Sequence, residues 1–215
     1  MSAIQRRRDA ARGATPRSLV LRSGSPEATH ALGERLGRML QSGDVVLLTG
    51  GLGAGKTALA QGIARGLGVA ESVSSPTFTI LKEHAGRIPL YHFDLYRIEH
   101  PDELEALGFV DYFYGEGASV VEWAERGERG ERGERGERGE GDEGDEGDEG
   151  DEGDEGDDRG APWPEDAVRI AITAEGPEAR VLGFSATGPR GEALLSGMRP
   201  HDSGGADETG EEEAR

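Results

Sequence analysis

Gly50-Gly51-Leu52-Gly53-Ala54-Gly55-Lys56-Thr57 carries glycine, glycine, lysine and threonine at the fixed positions of G-x-x-x-x-G-K-[ST]. Each fixed type has a task on a nucleoside triphosphate. Glycines let the backbone curl until several N–H groups point at one phosphate. Lys56 supplies a point charge for the outer phosphates. The Thr57 hydroxyl can complete the shell of a Mg²⁺ ion, whose other ligands are waters and phosphate oxygens. Chemistry on the triphosphate needs a further acid on the metal side and a group that orients the attacking species. Asp94, at the end of Leu90–Phe93, and Glu122, at the end of Ser119–Val121, are the candidates. Either can hold Mg²⁺ while the other orients a water, and the residues alone leave that choice open. Ser74-Ser75-Pro76-Thr77 offers hydroxyls where a loop that senses the third phosphate would lie, though a plain proline turn reads equally well.

The surrounding chain supplies the elements that must aim these groups. Val45–Leu48 is a short apolar run that reads as a buried strand, and Leu59, Ile63 and Leu67 fall at helical spacing after the loop. Strand, glycine loop and helix aim a helix N-terminus at an anion. Upstream, Ser18–Leu21 reads as a strand and Pro26–Leu40 as a helix, with Ser25 as N-cap and Ala28, Leu32, Leu36 and Leu40 as its apolar face. Downstream, strands are expected over 78–81, 89–93 and 119–123, with a helix over 102–107 that Gly108 ends. After Pro162-Trp163-Pro164, strands over 167–172 and 179–185 should pair antiparallel, and a helix is expected over 191–198.

Between them lies a segment without core-forming residues. Residues 125–139 are five copies of Glu-Arg-Gly, and 142–156 are five copies of Asp-Glu-Gly. A third of this stretch is glycine, with nothing apolar to offset the entropy of ordering. A tolerated loop expansion is the plain reading, and an electrostatic or cation-binding arm is the functional one. The formal charge of −19 belongs mainly to this segment and to the tail: Glu125–Asp158 carries −13 and His201–Arg215 carries −5, while residues 1–17 carry +4. The remaining −5 gives no basic stripe for a nucleic-acid backbone. The absence of cysteine excludes disulfides and thiolate metal sites. No 18-residue apolar run spans a membrane, and the basic start has no apolar stretch behind it, so no membrane association is expected and a cytoplasmic location is the default.

The expected architecture is α/β: a single phosphate-loop NTPase-type, three-layer domain with a mixed sheet, interrupted by a disordered low-complexity insert. The domain covers 18–124 and 160–200, the insert 125–159, and residues 1–17 and 201–215 form disordered tails, basic and acidic respectively.

Gly51–Thr57, Ser75-Pro76-Thr77-Phe78-Thr79, Tyr91-His92-Phe93-Asp94-Leu95-Tyr96-Arg97, Glu103-Leu104-Glu105, Asp111-Tyr112-Phe113 and Val121-Glu122-Trp123, in this order, resemble the TsaE family, formerly called YjeE. Phosphate loops are common. His-Phe-Asp-Leu-Tyr-Arg followed by Val-Glu-Trp is far more restrictive. The resemblance implies the ATPase subunit of the bacterial machinery for threonylcarbamoyladenosine at position 37 of tRNA. It implies ATP and Mg²⁺ as ligands, a TsaB–TsaD type pair as partner, and contact with tRNA only through that pair. It places nucleotide binding on Gly53, Ala54, Gly55, Lys56, Thr57 and Ala58, with Thr77 in a switch-like loop. Metal residues fall on Thr57 and Glu122, with Asp94 as the essential aspartate, and catalysis on Lys56, Asp94 and Glu122. Trp123 falls beside the nucleotide or serves as a core anchor, and the adenine side falls near Ser25–Thr29. Two features depart from the family: Gly51 stands where Asp is usual, and the repeat begins two residues after Trp123. An acidic arm so placed competes for Mg²⁺ or repels ATP only within about 8–10 Å. Two other functions use the same loop: a small-molecule or nucleoside kinase, which needs an acceptor pocket and an Arg-rich lid, and a non-hydrolysing nucleotide switch.

Overall fold

The computed structural model describes residues 17–100, 103–104, 108–127 and 163–200. In chain order these form β1 (Arg17–Ser23), α1 (Pro26–Met39), β2 (Val45–Thr49), α2 (Lys56–Gly66), β3 (Leu81–His84), β4 (Leu90–Asp94), α3 (Phe109–Phe113), β5 (Ala118–Glu122), a 3-10 turn (Ala124–Arg126), β6 (Val168–Glu175), β7 (Ala179–Ala186) and α4 (Gly188–Met198). One seven-stranded sheet has the order β1-β7-β6-β2-β5-β4-β3. Its centre, β6-β2-β5-β4, is parallel; β3 and β7 run antiparallel to their neighbours, and β1 closes the far edge against β7. The sheet is mixed, as expected.

A central parallel strand is covered on both faces, so an unbroken apolar run is what it requires. β2 shows this residue by residue. Val46 and Leu48 enter one core with Leu36, Leu59, Ile63 and Leu194 under α1, α2 and α4. Val45 and Leu47 enter the other core with Phe93, Phe109, Phe113 and Trp163. In that second core Phe93 stacks on Phe109 at 4.5 Å, and Phe113 meets Trp163 at 5.7 Å. The strand carrying the phosphate loop is thus clamped from both sides.

Helices α1 and α2 meet through glycine. Gly33 and Gly37 on α1 face Gly62 and Gly66 on α2. A Cβ at Gly33, Gly37, Gly62 or Gly66 would lie 2.4, 2.2, 2.2 and 2.2 Å from the backbone oxygens of Leu59, Ile63, His30 and Glu34 respectively. The same small-x-x-x-small spacing lets backbones approach closely in membranes. The buried stripe of α1 is therefore Thr29, Gly33, Leu36 and Gly37, rotated from the expected apolar face, with Ala28 and Leu32 only partly buried. Ser25 caps α1 as expected, accepting from the Ala28 N–H at 3.2 Å.

Several boundaries move. The strand expected over 78–81 begins at Leu81, because Thr77–Ile80 form a turn in which the Thr79 and Ile80 N–H groups donate to the Pro76 carbonyl. α3 lies beyond Gly108, where the helix was expected to have ended, and α4 begins three residues early, at Gly188. Arg17 is strand rather than tail. The first repeat unit, Glu125-Arg126-Gly127, belongs to the fold rather than the insert: Gly127 is buried, and a Cβ there would sit 2.4 Å from the Trp163 ring. The rest of the insert, both tails, and positions 102 and 105–107 of the expected helix lie outside the described residues. Among the described residues, no helix is long and apolar enough to cross a membrane.

Candidate functional site

The loop between β2 and α2 adopts the backbone that its glycines permit. Gly50, Gly53 and Gly55 have φ of 137°, 73° and 108°, a region costly for residues with a Cβ. α2 starts at Lys56, and its first closed helical bond runs from the Leu59 N–H to the Gly55 carbonyl. The N–H groups of Lys56, Thr57 and Ala58 belong to the first turn, which has no intrahelical acceptors, and the positive end of the helix dipole lies there. Ala58 therefore enters the site through its backbone alone.

Side chains from two strand ends and the start of α2 converge on this loop. Lys56 is buried, donating to the Gly50 and Gly51 carbonyls at 2.6 and 2.9 Å, with its ammonium 3.4 Å from the centre of the Trp123 ring. Burial pulls this ammonium below the ordinary lysine range, against the opposing pull of the negative charges on Glu125, Glu122 and Asp94. Thr57 Oγ1 donates to Glu122 Oε2 at 2.8 Å. Asp94 and Glu122 are register partners on β4 and β5, so neighbouring parallel strands deliver both acids to one sheet edge.

The two carboxylates are held differently. Asp94 Oδ2 accepts from the hydroxyls of Thr77, at 2.8 Å, and Ser75, while Oδ1 accepts the Tyr96 N–H at 2.9 Å. Asp94 thus ties down the loop before β3. Glu122 instead faces Thr57 with one oxygen and receives His92 Nε2, 2.9 Å away, on the other. Backbone strain marks the same place: Ile80 and Trp123 are the non-glycine residues with positive φ among those described, at 66° and 60°. One ends the Ser75–Thr79 loop, and the other turns an indole over Lys56.

A cleft of about 360 Å³ opens here, within the ~300–1,000 Å³ usual for small-molecule sites. Gly53, Ala54, Gly55, Lys56 and Thr57 line its floor, and Thr77, Asp94, Glu122 and Trp123 line its walls. Of the expected site residues, Ala58 and the Ser25–Thr29 segment are not among the lining. In that segment Ser25 Oγ caps α1, and the buried Thr29 hydroxyl lies 2.7 Å from Ser23 Oγ. Leu52, Ser75 and Tyr96 complete the lining. Sequence reasoning missed two supporting residues. Arg180 on β7 clasps the loop from outside, its Nε donating to the Ala54 carbonyl at 2.8 Å, and nothing local marks that arginine. His92 was visible in the motif, but only the register of β4 on β5 reveals that it faces Glu122.

The donor set suits a hard divalent cation that keeps most of its ligands as water and phosphate oxygen. One hydroxyl and one carboxylate oxygen meet, and among the described residues no group of three or more His, Cys, Asp or Glu could cage a metal. A family model described as "Threonylcarbamoyl adenosine biosynthesis protein TsaE" matches residues 23–136, just over half of the chain. The chain belongs to the TsaE family. A Bacillus subtilis (strain 168) protein named "tRNA threonylcarbamoyladenosine biosynthesis protein TsaE" is 36% identical over 188 residues, covering 87% of this chain and 98% of the relative. A Treponema pallidum TsaE protein is 44% identical over 104 residues, 48% of this chain and 77% of its own length. The crystal structure of Bacillus subtilis YdiB superposes with a TM-score of 0.60 at 30% identity, covering 86% of this chain and 95% of that one. The TsaE match ends at residue 136, yet β6 and β7, which complete the sheet beside the phosphate loop, lie beyond it.

Proposed function

We propose that the cleft binds ATP with Mg²⁺ and hydrolyses it in the service of tRNA threonylcarbamoyladenosine formation at position 37, acting on a TsaB–TsaD type pair. The observation that carries the reading is the meeting of Thr57 and Glu122 at 2.8 Å beside a buried lysine at a helix N-terminus. The relatives' names supply the pathway.

In this reading, backbone N–H groups of Gly53–Ala58 cradle the phosphates, and Lys56 contributes fixed positive charge to the transferring group. Thr57 Oγ1 and Glu122 Oε2 would hold Mg²⁺, which would supply positive charge to offset the negative charge of the phosphates. Asp94 is already occupied by Ser75, Thr77 and the Tyr96 N–H. In this reading its task is to orient the attacking water, and its contacts couple that task to the position of the Ser75–Thr79 loop. Trp123 covers Lys56 and limits access of bulk water, which strengthens the electrostatics beneath it.

Phosphate accounting tests the proposal. Purified protein is incubated with ATP and Mg²⁺, with and without the TsaB–TsaD pair. Free phosphate that rises with the pair supports the reading. Label appearing on an added nucleoside, or tight binding with no turnover under either condition, overturns it.

A further inference from the structure

We infer that His92 is a positioning residue that sets the carboxylate of Glu122, and through it the metal side of the site. This rests on the proposed reading of the cleft as a nucleotide and Mg²⁺ site. His92 lies on β4 opposite Val120, two residues before the Asp94–Glu122 pair, so the sheet brings its ring diagonally against Glu122. The ring is fully buried. Its Nε2 is 2.9 Å from Glu122 Oε1. A carboxylate only accepts, so this nitrogen carries the hydrogen and donates. With Oε1 engaged, Oε2 is the oxygen left for Thr57, at 2.8 Å. Glu122 would otherwise turn about its terminal bond, because the two oxygens are equivalent and that torsion is broad.

The other nitrogen argues that the ring is present for this contact rather than for packing. His92 Nδ1 is buried and has no hydrogen-bond partner among the described residues. Its nearest ring is His84, with centroids 6.2 Å apart, whose own Nε2 is likewise buried and without a partner. Burying a polar atom in that condition costs free energy that an apolar side chain of similar size would avoid. The Nε2 contact with Glu122 is one that leucine or phenylalanine cannot make. Groups that orient a metal-binding carboxylate have that character.

Full-length wild type, His92→Gln, His92→Asn and His92→Leu would be titrated with ADP at a series of Mg²⁺ concentrations, with Tm recorded for each. Glutamine carries its amide nitrogen to about the reach of Nε2, whereas asparagine carries it only to that of Nδ1. The expected result is that His92→Leu and His92→Asn need about tenfold more Mg²⁺ for the half-maximal gain in ADP affinity, while His92→Gln stays near wild type. ADP affinity without Mg²⁺ should be unchanged in all four. Equal Mg²⁺ requirements for the glutamine and asparagine variants, in either direction, would overturn the inference. That comparison decides the matter even where His92→Leu does not fold. Absence of Mg²⁺-dependent binding in the wild type would instead overturn the proposed function, and this inference with it.

Discussion

Adding one methyl group to Gly37 tests how the phosphate-loop helix is anchored. Alanine is the better helix former by about 1 kcal/mol, so on propensity alone Gly37→Ala stabilises α1. The packing opposes this. The new Cβ would lie 2.2 Å from the Ile63 oxygen, 2.9 Å from its carbonyl carbon and 3.0 Å from the Gly66 Cα. Every one of these atoms is backbone, so no rotamer change relieves the contact, and α1 must withdraw from α2 by about 1 Å to reach ordinary van der Waals distance. Three further glycine contacts interlock along the same interface, so withdrawal at one loosens all four. Overpacking of this kind costs about 1–3 kcal/mol, and a rigid backbone obstacle belongs at the upper end. The net effect is a loss of about 2 kcal/mol, or about 4–8 °C in Tm for a chain of this size. Gly197→Ala on α4 is the matched comparison. Its Cβ would meet only Sδ and Cε of Met39, at 2.4 and 3.2 Å, and a methionine tip can swing away. Thermal and urea unfolding of both variants decide the matter. A rise in Tm for Gly37→Ala, or an equal fall for Gly197→Ala, would refute the backbone-contact argument.

Three further outcomes are expected. Lys56→Met should weaken nucleotide binding about 10–100-fold, the worth of hydrogen bonds to a charged group, yet raise the Tm of the nucleotide-free protein. Because burial sets the folded pKa of Lys56 below its ordinary 10.5, the charged native form is penalised at every pH below the folded value, and the penalty fades as pH rises from there to 10.5. The Tm gap between the variant and wild type should therefore narrow in that alkaline window. Gly51→Asp should leave Tm within about 2 °C, since nothing lies within 4 Å of a Cβ there, while lowering the Mg²⁺ concentration at half-saturation of ADP binding. Replacing residues 128–159 with a short Gly-Ser linker should also keep Tm within about 2 °C, because Gly127 and Trp163, the described residues on either side, are already in contact.

What could be read from the chain, and what could not, divides along a physical line. Gly50–Thr57, Asp94 and Glu122 were legible because each acts through its own type: backbone freedom, fixed charge, or a carboxylate at a strand end. The apolar strands 45–48 and 119–121 were legible because a buried parallel sheet leaves them little alternative. The Thr77–Ile80 turn was not, since β-branched and aromatic residues suggest a strand until Asp94 captures the hydroxyls of Ser75 and Thr77. Gly33, Gly37, Gly62 and Gly66 carry no local signal of their role, because their value exists only between the two helices. His92, Arg180 and Gly127 act across the sheet or across the insert, and no local pattern encodes such a partnership.

The strand order has a consequence for how the protein is made. β1 is the first strand to emerge from the ribosome but, among the described residues, its partner is β7, and β2, which carries the phosphate loop, is flanked on one side by β6. A nascent chain that has passed Glu122 already contains the loop, both acids and the tryptophan. It still has one bare side of β2 and an unpaired first strand, and it waits through the whole low-complexity stretch for residues 168–186. Unpaired strand edges invite association with other chains, and distant pairings form slowly. Lengthening the insert thus prolongs the interval in which a half-built sheet is exposed.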